Sequence, residues 1–334
     1  WTRDVRLWIA TLFDNNPRRL KKQVWLERCS TFADWDFLHY VLWHGLSVTH
    51  PHQRPAPFAL RNYSSVYDTS LHRAVAEVIE GEIRDGLIAH PPPWLLPHCK
   101  WVHPLAAIPK AGGKARVIHD FSAPSGGSLN DHIDFVSHSL PRHEEVFMAL
   151  KPGMYMAKVD LTAFFRHIPL DPADWCLMSF EWDGQCLVDT RLRAVEWWLG
   201  RNLDGIPCEG IFRVSDDWLL LASDLQACEQ LWHKTMVTLE EFGFVVNRLP
   251  GKSVAPCQCL TWCGLEYDSV GMTVRLPADK VRKALALAEH FRTAGTATRA
   301  ELDSLFGYMV FCSAVVFGIK AFLHSVRRLR YRSE

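Results

Sequence analysis

The sequence predicts a mixed α/β fold in which antiparallel strands pack on helices. Three observations carry this expectation. Apolar runs of strand period recur on either side of short polar tips, the pattern of hairpins. Capping patterns open two of the later helices. The 334 residues are 48% hydrophobic and 12% aromatic, enough to bury a large core in one domain with subdomains or in two domains.

Residues 1–90 are Trp-rich and mixed in period, and 1–95 reads as a mainly helical N-terminal extension. Within it, Leu71 to Gly86 predicts an amphipathic helix with Ala74, Val78 and Ile83 near one face. Pro91-Pro-Pro-Trp-Leu-Leu-Pro97 is a breaker and marks a boundary. Trp101 to Ile108 and Ala115 to Ile118 read as two strands around the glycine turn Pro109-Lys-Ala-Gly-Gly-Lys114. Met154 to Val159 alternates into Asp160. Cys176 to Trp182 and Gln185 to Leu192 flank Asp183-Gly184, a strong hairpin signal. Ile211 to Ser215 leads to Asp216-Asp217 and Trp218 to Ala222 leads away, a second hairpin with the acids at its bend.

Ser223-x-x-Gln226 opens a helix carrying Leu225, Cys228, Leu231, Leu239 and Phe242, which Gly243 can end. Short strands follow at Cys259 to Tyr267 and Met272 to Leu276, then a helix from Asp279 to about Thr293. Thr298-x-x-Glu301 opens another. Ser304 to Ile319 is uncharged for 16 residues. That is short of the ~18 needed to span a bilayer, so it predicts a buried helix. The expected division is 1–95, 96–278 and 279–334.

Net charge is zero but unevenly spread. Residues 1–30 hold seven Lys/Arg against three acids, whereas 171–225 hold eleven acids against four Arg. Residues 100–116 hold four Lys/Arg and no acid, and the last 15 hold five against one Glu. Basic flanks around an acidic centre fit a polyanion at the sides and metal in the middle, and ordinary surface scatter fits equally well. Ten Cys without a secretory leader pattern point to reduced thiols in cytoplasm or nucleus. Cys257, Cys259 and Cys263 interleave with Leu260, Trp262 and Leu265 at strand period, which favours packing over zinc.

The acids are the chemical clue. Asp160 ends one apolar run, and Asp216-Asp217 follow after 55 intervening residues from Asp160. Carboxylates at the edge of a buried sheet are costly to desolvate without a cation among them. Hard divalent ions held by oxygen meet that need and suit phosphoryl transfer.

The order of these elements resembles a reverse transcriptase, an RNA-directed DNA polymerase, of the retrotransposon type, nearest to DIRS-like elements. The resemblance covers roughly Trp101 to Pro277. Ala106-Ala-Ile-Pro-Lys-Ala-Gly-Gly-Lys-Ala-Arg-Val-Ile-His-Asp-Phe-Ser122 looks like the fingers hairpin, and Lys158 to Leu170 like the first palm motif. Val214 to Leu221 looks like the second aspartate motif. Phe242 to Asn247, Gly251-Lys-Ser253 and Leu260 to Asp268 look like the motifs downstream.

The resemblance implies a right-hand polymerase with fingers, palm and partial thumb. It implies that Asp160, Asp216 and Asp217 hold two Mg²⁺ ions, with Mn²⁺ as a substitute. Lys110, Arg116 and alternatively Lys114 are expected on the nucleotide triphosphate. Phe165 stands where the family has its gate against the 2′-hydroxyl, and core packing is its equal alternative. Lys252 is a candidate general acid for the leaving pyrophosphate. RNA template, DNA primer and deoxynucleoside triphosphates are the expected partners, with no membrane.

Three departures qualify the resemblance. Between Asp189-Thr-Arg-Leu192 and Ile211 the chain is short of the family's Pro/Gly loop and helix by roughly five helical turns or a little less. Val214 replaces the usual Tyr, and Ala163-Phe-Phe-Arg166 alters the first palm motif, so that Arg166 is expected to perturb packing near the metals. The chain shows no RNase H or integrase-like segment and reads as one piece of a larger element. Two expectations follow: a template-directed polymerase, or a catalytically dead nucleic-acid-binding remnant of a mobile element.

Overall fold

Alternating apolar residues become strands wherever a turn residue lets the chain reverse. The computed structural model describes residues 19–33, 35–49, 53–133, 141–191, 210–294 and 296–330. Strands among them are β1 (Phe58–Ala59), β2 (Ile88–Ala89), β3 (Trp101–His103), β4 (Leu105–Lys110), β5 (Lys114–His119), β6 (Tyr155–Asp160) and β7 (Ser179–Trp182). The rest are β8 (Gln185–Asp189), β9 (Ile211–Val214), β10 (Asp217–Ala222), β11 (Val254–Cys257), β12 (Cys259–Trp262), β13 (Leu265–Asp268) and β14 (Thr273–Arg275). These elements pack into two units that interleave along the chain. One takes its described residues from 19–133, 161–191 and 237–246, the other from 141–160, 210–236 and 247–330. The sequential division at 95 and 278 concerns subdomains, a different kind of boundary. The expected loss of a loop and helix between Leu192 and Ile211 falls on 192–209, outside the described residues.

In the first unit a five-stranded sheet has the order β1-β3-β7-β8-β2. Its β1–β3 and β3–β7 pairs are parallel, and the pairs that β8 makes are antiparallel. The Asp183-Gly184 turn joins β7 to β8 with both residues at positive φ, 48° and 71°, as that dipeptide favours. Two expected strands are shorter than the sequence suggests. Pro104, which has no amide hydrogen, divides Trp101 to Ile108 into β3 and β4. Cys176 to Met178 belongs to the 3₁₀ helix Pro172–Met178, whose start is held by the Asp171 side chain accepting from the Ala173 amide. The helix His72–Arg84 buries Ala74, Val75 and Ile79, and they pack in one cluster with Leu105, Ala115, Phe180 and Leu187.

Gly45 is fixed by a close approach of backbone to backbone. It ends the helix Trp35–His44 at φ 93°, and the Leu46 amide then donates to the Pro169 carbonyl at 2.7 Å. A Cβ at residue 45 would lie 2.4 Å from the carbonyl carbon of Leu170. Left-handed strain and a clash with backbone reinforce each other here. Gly45→Ala is expected to cost about 3 kcal/mol or more, read as a lower urea midpoint at unchanged m-value.

The second unit is built on a four-stranded antiparallel sheet, β11-β6-β10-β9, beside the three-stranded β12-β13-β14. The expected single strand from Cys259 to Tyr267 is a hairpin, turned by Cys263 and Gly264 at φ 47° and 82°. Met156, Leu219 and Leu221 pack in one cluster with Trp262, Leu265 and Tyr267. The helix Leu225–Phe242 opens on Asp224, whose Oδ1 accepts from the Ala227 amide at 2.8 Å. Ser223, expected as the cap, instead donates its hydroxyl to Asp224 Oδ2 at 3.1 Å. The Thr298–Glu301 capping box is present in full at the start of the helix Arg299–Cys312.

The buried helix expected over Ser304 to Ile319 is not found. The helix ends at Cys312, its one buried residue, and Phe317 stands in solvent. Absence of charge did not imply burial here. No helix among the described residues is long and apolar enough to cross a membrane.

Candidate metal and nucleotide site

Strand pairing brings the acids of the second unit together. The antiparallel β6–β10 ladder sets Asp217 directly opposite Asp160. Side chains so paired share a face, with Cβ atoms roughly 4.5–5.5 Å apart. The bend of the hairpin lies one residue earlier than the sequence suggests. Val214 pairs with Asp217, so Ser215 and Asp216 form the tip, and Ser215 takes φ 54°. Asp216 therefore sits on the turn and Asp217 on the strand.

Each strand acid has a cation beside it. Lys158 lies two residues before Asp160, on the same face of β6 and diagonal to Asp217. Its Nζ is 3.1 Å from Asp217 Oδ1. Beyond that ion pair, Asp217 Oδ1 is buried with no other partner among the described residues. The Lys252 Nζ lies 3.3 Å from Asp160 Oδ2, and Asn247 Nδ2 donates to Asp160 Oδ1 at 2.7 Å. The Asp160 amide donates to Ser253 Oγ at 3.2 Å, and Trp262 Nε1 donates to the Asp217 carbonyl at 3.2 Å. Asp160 is itself buried.

Burial pushes the Asp216 carboxyl above the ordinary aspartate range, and the charge of Asp160 adds to the rise while Lys252 and Lys158 oppose it. Asp217 is raised for the same first reason, with Lys158 opposing and both other acids adding. The donors are hard oxygens in mutual repulsion, one of them a buried carboxylate oxygen met only by Lys158, and that chemistry fits a hard divalent ion. As they stand, however, no three carboxylate, imidazole or thiol groups among the described residues are grouped as a metal-holding set. Lys158 and Lys252 supply the positive charge instead.

A raised carboxyl means that the folded state holds its proton more tightly than the unfolded chain. Stability is therefore lost as pH rises from the ordinary aspartate value through the raised one. Asp216→Asn removes that penalty. Its expected effect at neutral pH without metal is a melting temperature higher by ~1–3 °C. The difference should vanish below the ordinary aspartate range, as thermal melts across pH would register.

The remaining predicted site residues belong to the first unit. β4 and β5 pair Lys110 with Lys114 and Ile108 with Arg116 around Ala111-Gly112-Gly113. That register puts Lys110, Lys114 and Arg116 on one face, all exposed, while Ala107 and Ala115 are buried on the other. Lys110 and Lys114, the alternatives that the sequence left open, are cross-strand partners in this register. Phe164 is buried and stacks on Phe244 at 5.4 Å, whereas Phe165 is only half-buried. Arg166, expected to perturb packing near the metals, is buried and ion-paired in its own unit. It lies 2.8 Å from Asp189 and 2.6 Å from Glu82.

Two residues at the acids went unassigned from the sequence. Lys158 could have been found by its period-two offset from Asp160 on the same strand. Asn247 had no local signal, because 87 residues separate it from Asp160.

No family model and no curated protein matches the sequence. Among solved structures the chain is similar to a foamy viral protease-reverse transcriptase in complex with double-stranded DNA. The identity is 18% and the TM-score 0.62, over 99% of this chain and 56% of that one. A second foamy viral protease-reverse transcriptase structure with double-stranded DNA matches at 18% and 0.62, over 94% and 66%. One with an RNA/DNA hybrid matches at 16% and 0.60, over 99% and 43%. The chain thus spans about half the length of these proteins. At such identity the likeness defines the fold, which is that of a reverse transcriptase: mixed α/β with antiparallel sheets and polymerase-like architecture.

Proposed function

We propose that this chain is the polymerase portion of a retrotransposon-type, DIRS-like reverse transcriptase, adding deoxynucleotides to a DNA primer 3′ end on an RNA template. The observation that carries the proposal is the pairing of Asp160 with Asp217 beside Asp216 at the β9–β10 bend. When bound, two Mg²⁺ ions supply Lewis-acid stabilisation of the attacking 3′-oxygen and the departing pyrophosphate oxygen. Asp160 and Asp216 would hold them, with Asp217 supporting the pair, and Mn²⁺ would substitute. Lys110, Lys114 and Arg116 take the triphosphate, Arg116 by a bidentate contact and each Lys as a point charge. Half-buried Phe165 turns away a 2′-hydroxyl by steric clash. Lys252 Nζ delivers a proton to the leaving pyrophosphate. The subdomains are 96–278 for fingers and palm and 279–334 for thumb helices, after an N-terminal extension over 1–95.

Primer extension with purified chain, Mg²⁺, an RNA template and labelled deoxynucleotides tests this reading. Incorporation that follows the template sequence is expected. Incorporation that survives Asp216→Ala would remove the carboxylates from the mechanism.

A second reading has its own support. Lys158 and Lys252 already sit against the acids, and no three donors among the described residues are grouped for metal. A nucleic-acid-binding remnant without catalysis fits those facts. It predicts salt-sensitive duplex binding with no incorporation.

A further inference from the structure

We infer that Lys158 is a positioning residue of the carboxylate site. It keeps Asp217 from ligating a divalent ion, leaves that task to Asp160 and Asp216, and thereby sets how tightly the ion is held. The inference rests on the metal reading of the site and deepens it, dividing the three acids into two ligands and one carboxylate held back. The root of Lys158 is fixed on three sides. Strand β6 lies between β10 and β11, with Leu219 opposite Lys158 on one side and Val254 on the other. The Lys158 carbonyl accepts from Trp232 Nε1 at 3.1 Å, a contact made by the helix Leu225–Phe242. Lys158 shares its face of β6 with Asp160 and with Met156, which packs in one buried cluster with Leu219.

Two lysines meet the acids, and exposure separates them. The Lys158 side chain is 11% exposed, with its Nζ 3.1 Å from Asp217 Oδ1. The Lys252 side chain is 51% exposed, with its Nζ 3.3 Å from Asp160 Oδ2. A flexible stem in water keeps its ammonium hydrated wherever it turns, so Lys252 can swing outward and yield Asp160 to an ion. Lys158 has no such exit. Leaving Asp217 would strand a buried charge, which costs far more than breaking a surface pair. Lys158 therefore stays on Asp217 when Lys252 leaves Asp160. The Asp217 backbone is held as well, its carbonyl accepting from Trp262 Nε1 at 3.2 Å. Asp216, on the bend, has no ion-pair partner among the described residues.

The charge balance follows from this geometry. Asp160 and Asp216 offer two negative charges to a divalent ion, and Lys158 cancels the third. Affinity for a hard divalent ion rises with the number of carboxylates around it, so the Lys158–Asp217 pair gives a weaker hold than three free acids would. A simple repulsion between Lys158 and the ion would also weaken the hold, but it would not depend on Asp217. That dependence is what separates a carboxylate held back from a charge merely placed nearby. The ammonium that leaves Asp160 is the one that the proposed function sends to the pyrophosphate.

The test is calorimetric titration of the metal-free full chain with Mn²⁺, with Asp160→Asn in parallel. Lys158→Met should take up Mn²⁺ about tenfold or more tightly, because Asp217 is then free to ligate. Lys158→Gln also removes the charge and carries the same expectation should the Met variant fail to melt cooperatively. Lys158→Arg keeps the charge and should bind as the unaltered chain does. Asp217→Asn added to either neutral variant should abolish the gain. Unchanged or weaker uptake by a neutral variant that melts cooperatively would overturn the proposal. So would equal tightening with and without Asp217→Asn, which marks plain repulsion of the ion, and so would equal tightening by Lys158→Arg. The two possible failures look different. Asp160→Asn binding Mn²⁺ as tightly as the unaltered chain removes the metal reading and this inference with it. Weakened uptake by Asp160→Asn with no gain in the neutral variants removes only the role of Lys158.

Discussion

Asp160→Asn is expected to lower template-directed nucleotide incorporation by about a thousandfold, from several kcal/mol of lost transition-state stabilisation at roughly 1.36 kcal/mol per decade. The substitution is chosen because it isolates charge from structure. The carboxamide oxygen still accepts from Asn247 Nδ2, the contact now made at 2.7 Å, so the ladder between β6 and β10 keeps its support. Single-turnover incorporation at saturating Mg²⁺ and nucleotide measures the loss. A variant that melts like the unaltered chain and incorporates within tenfold of it would contradict the proposed role.

The largest stability effect is expected in the first unit. Arg166 is buried, with its guanidinium between Asp189 and Glu82 and a further bond to the Arg191 carbonyl. Asp189 is fully buried and also lies 3.1 Å from His119 Nδ1. Burial alone would lower the Arg166 pKa, but the neighbouring Asp189 and Glu82 charges outweigh it, and the net shift is upward. Removing either partner strands a charge away from water. Arg166→Met and Asp189→Leu are each expected to cost about 3–5 kcal/mol, and the double variant less than the sum. Urea unfolding of the four proteins measures the coupling. Additive costs would show that the pair acts as two independent groups.

Much of this fold could be read in the sequence because its signals are local. Asp183-Gly184 and Thr298-x-x-Glu301 each settle their own backbone within a few residues, and both do so in the structure. The errors arose where one residue decides between neighbouring outcomes. Pro104 splits a strand, Asp224 takes the cap from Ser223, and Ser215 moves the acidic bend by one position. The meeting of Asp160 with Asp217 was expected from family order rather than from spacing, since pairing across the sheet leaves no local trace. Asn247 was missed for the same reason, its contact being made across 87 residues of chain, whereas Lys158 had a local signal in its period-two offset from Asp160. The pairing of Arg166 with Glu82 and Asp189 was not foreseen, because those partners lie 84 and 23 residues away.

The direct test of the central claim is Mn²⁺ binding followed by electron paramagnetic resonance, with the unaltered chain, Asp160→Asn and Asp216→Asn in parallel. The account predicts that the unaltered chain takes up Mn²⁺, that Mg²⁺ displaces it, and that each substitution weakens uptake at least about tenfold, or ~1.4 kcal/mol. Equal uptake by all three proteins, or none by the unaltered chain, would show that these carboxylates are not a metal site.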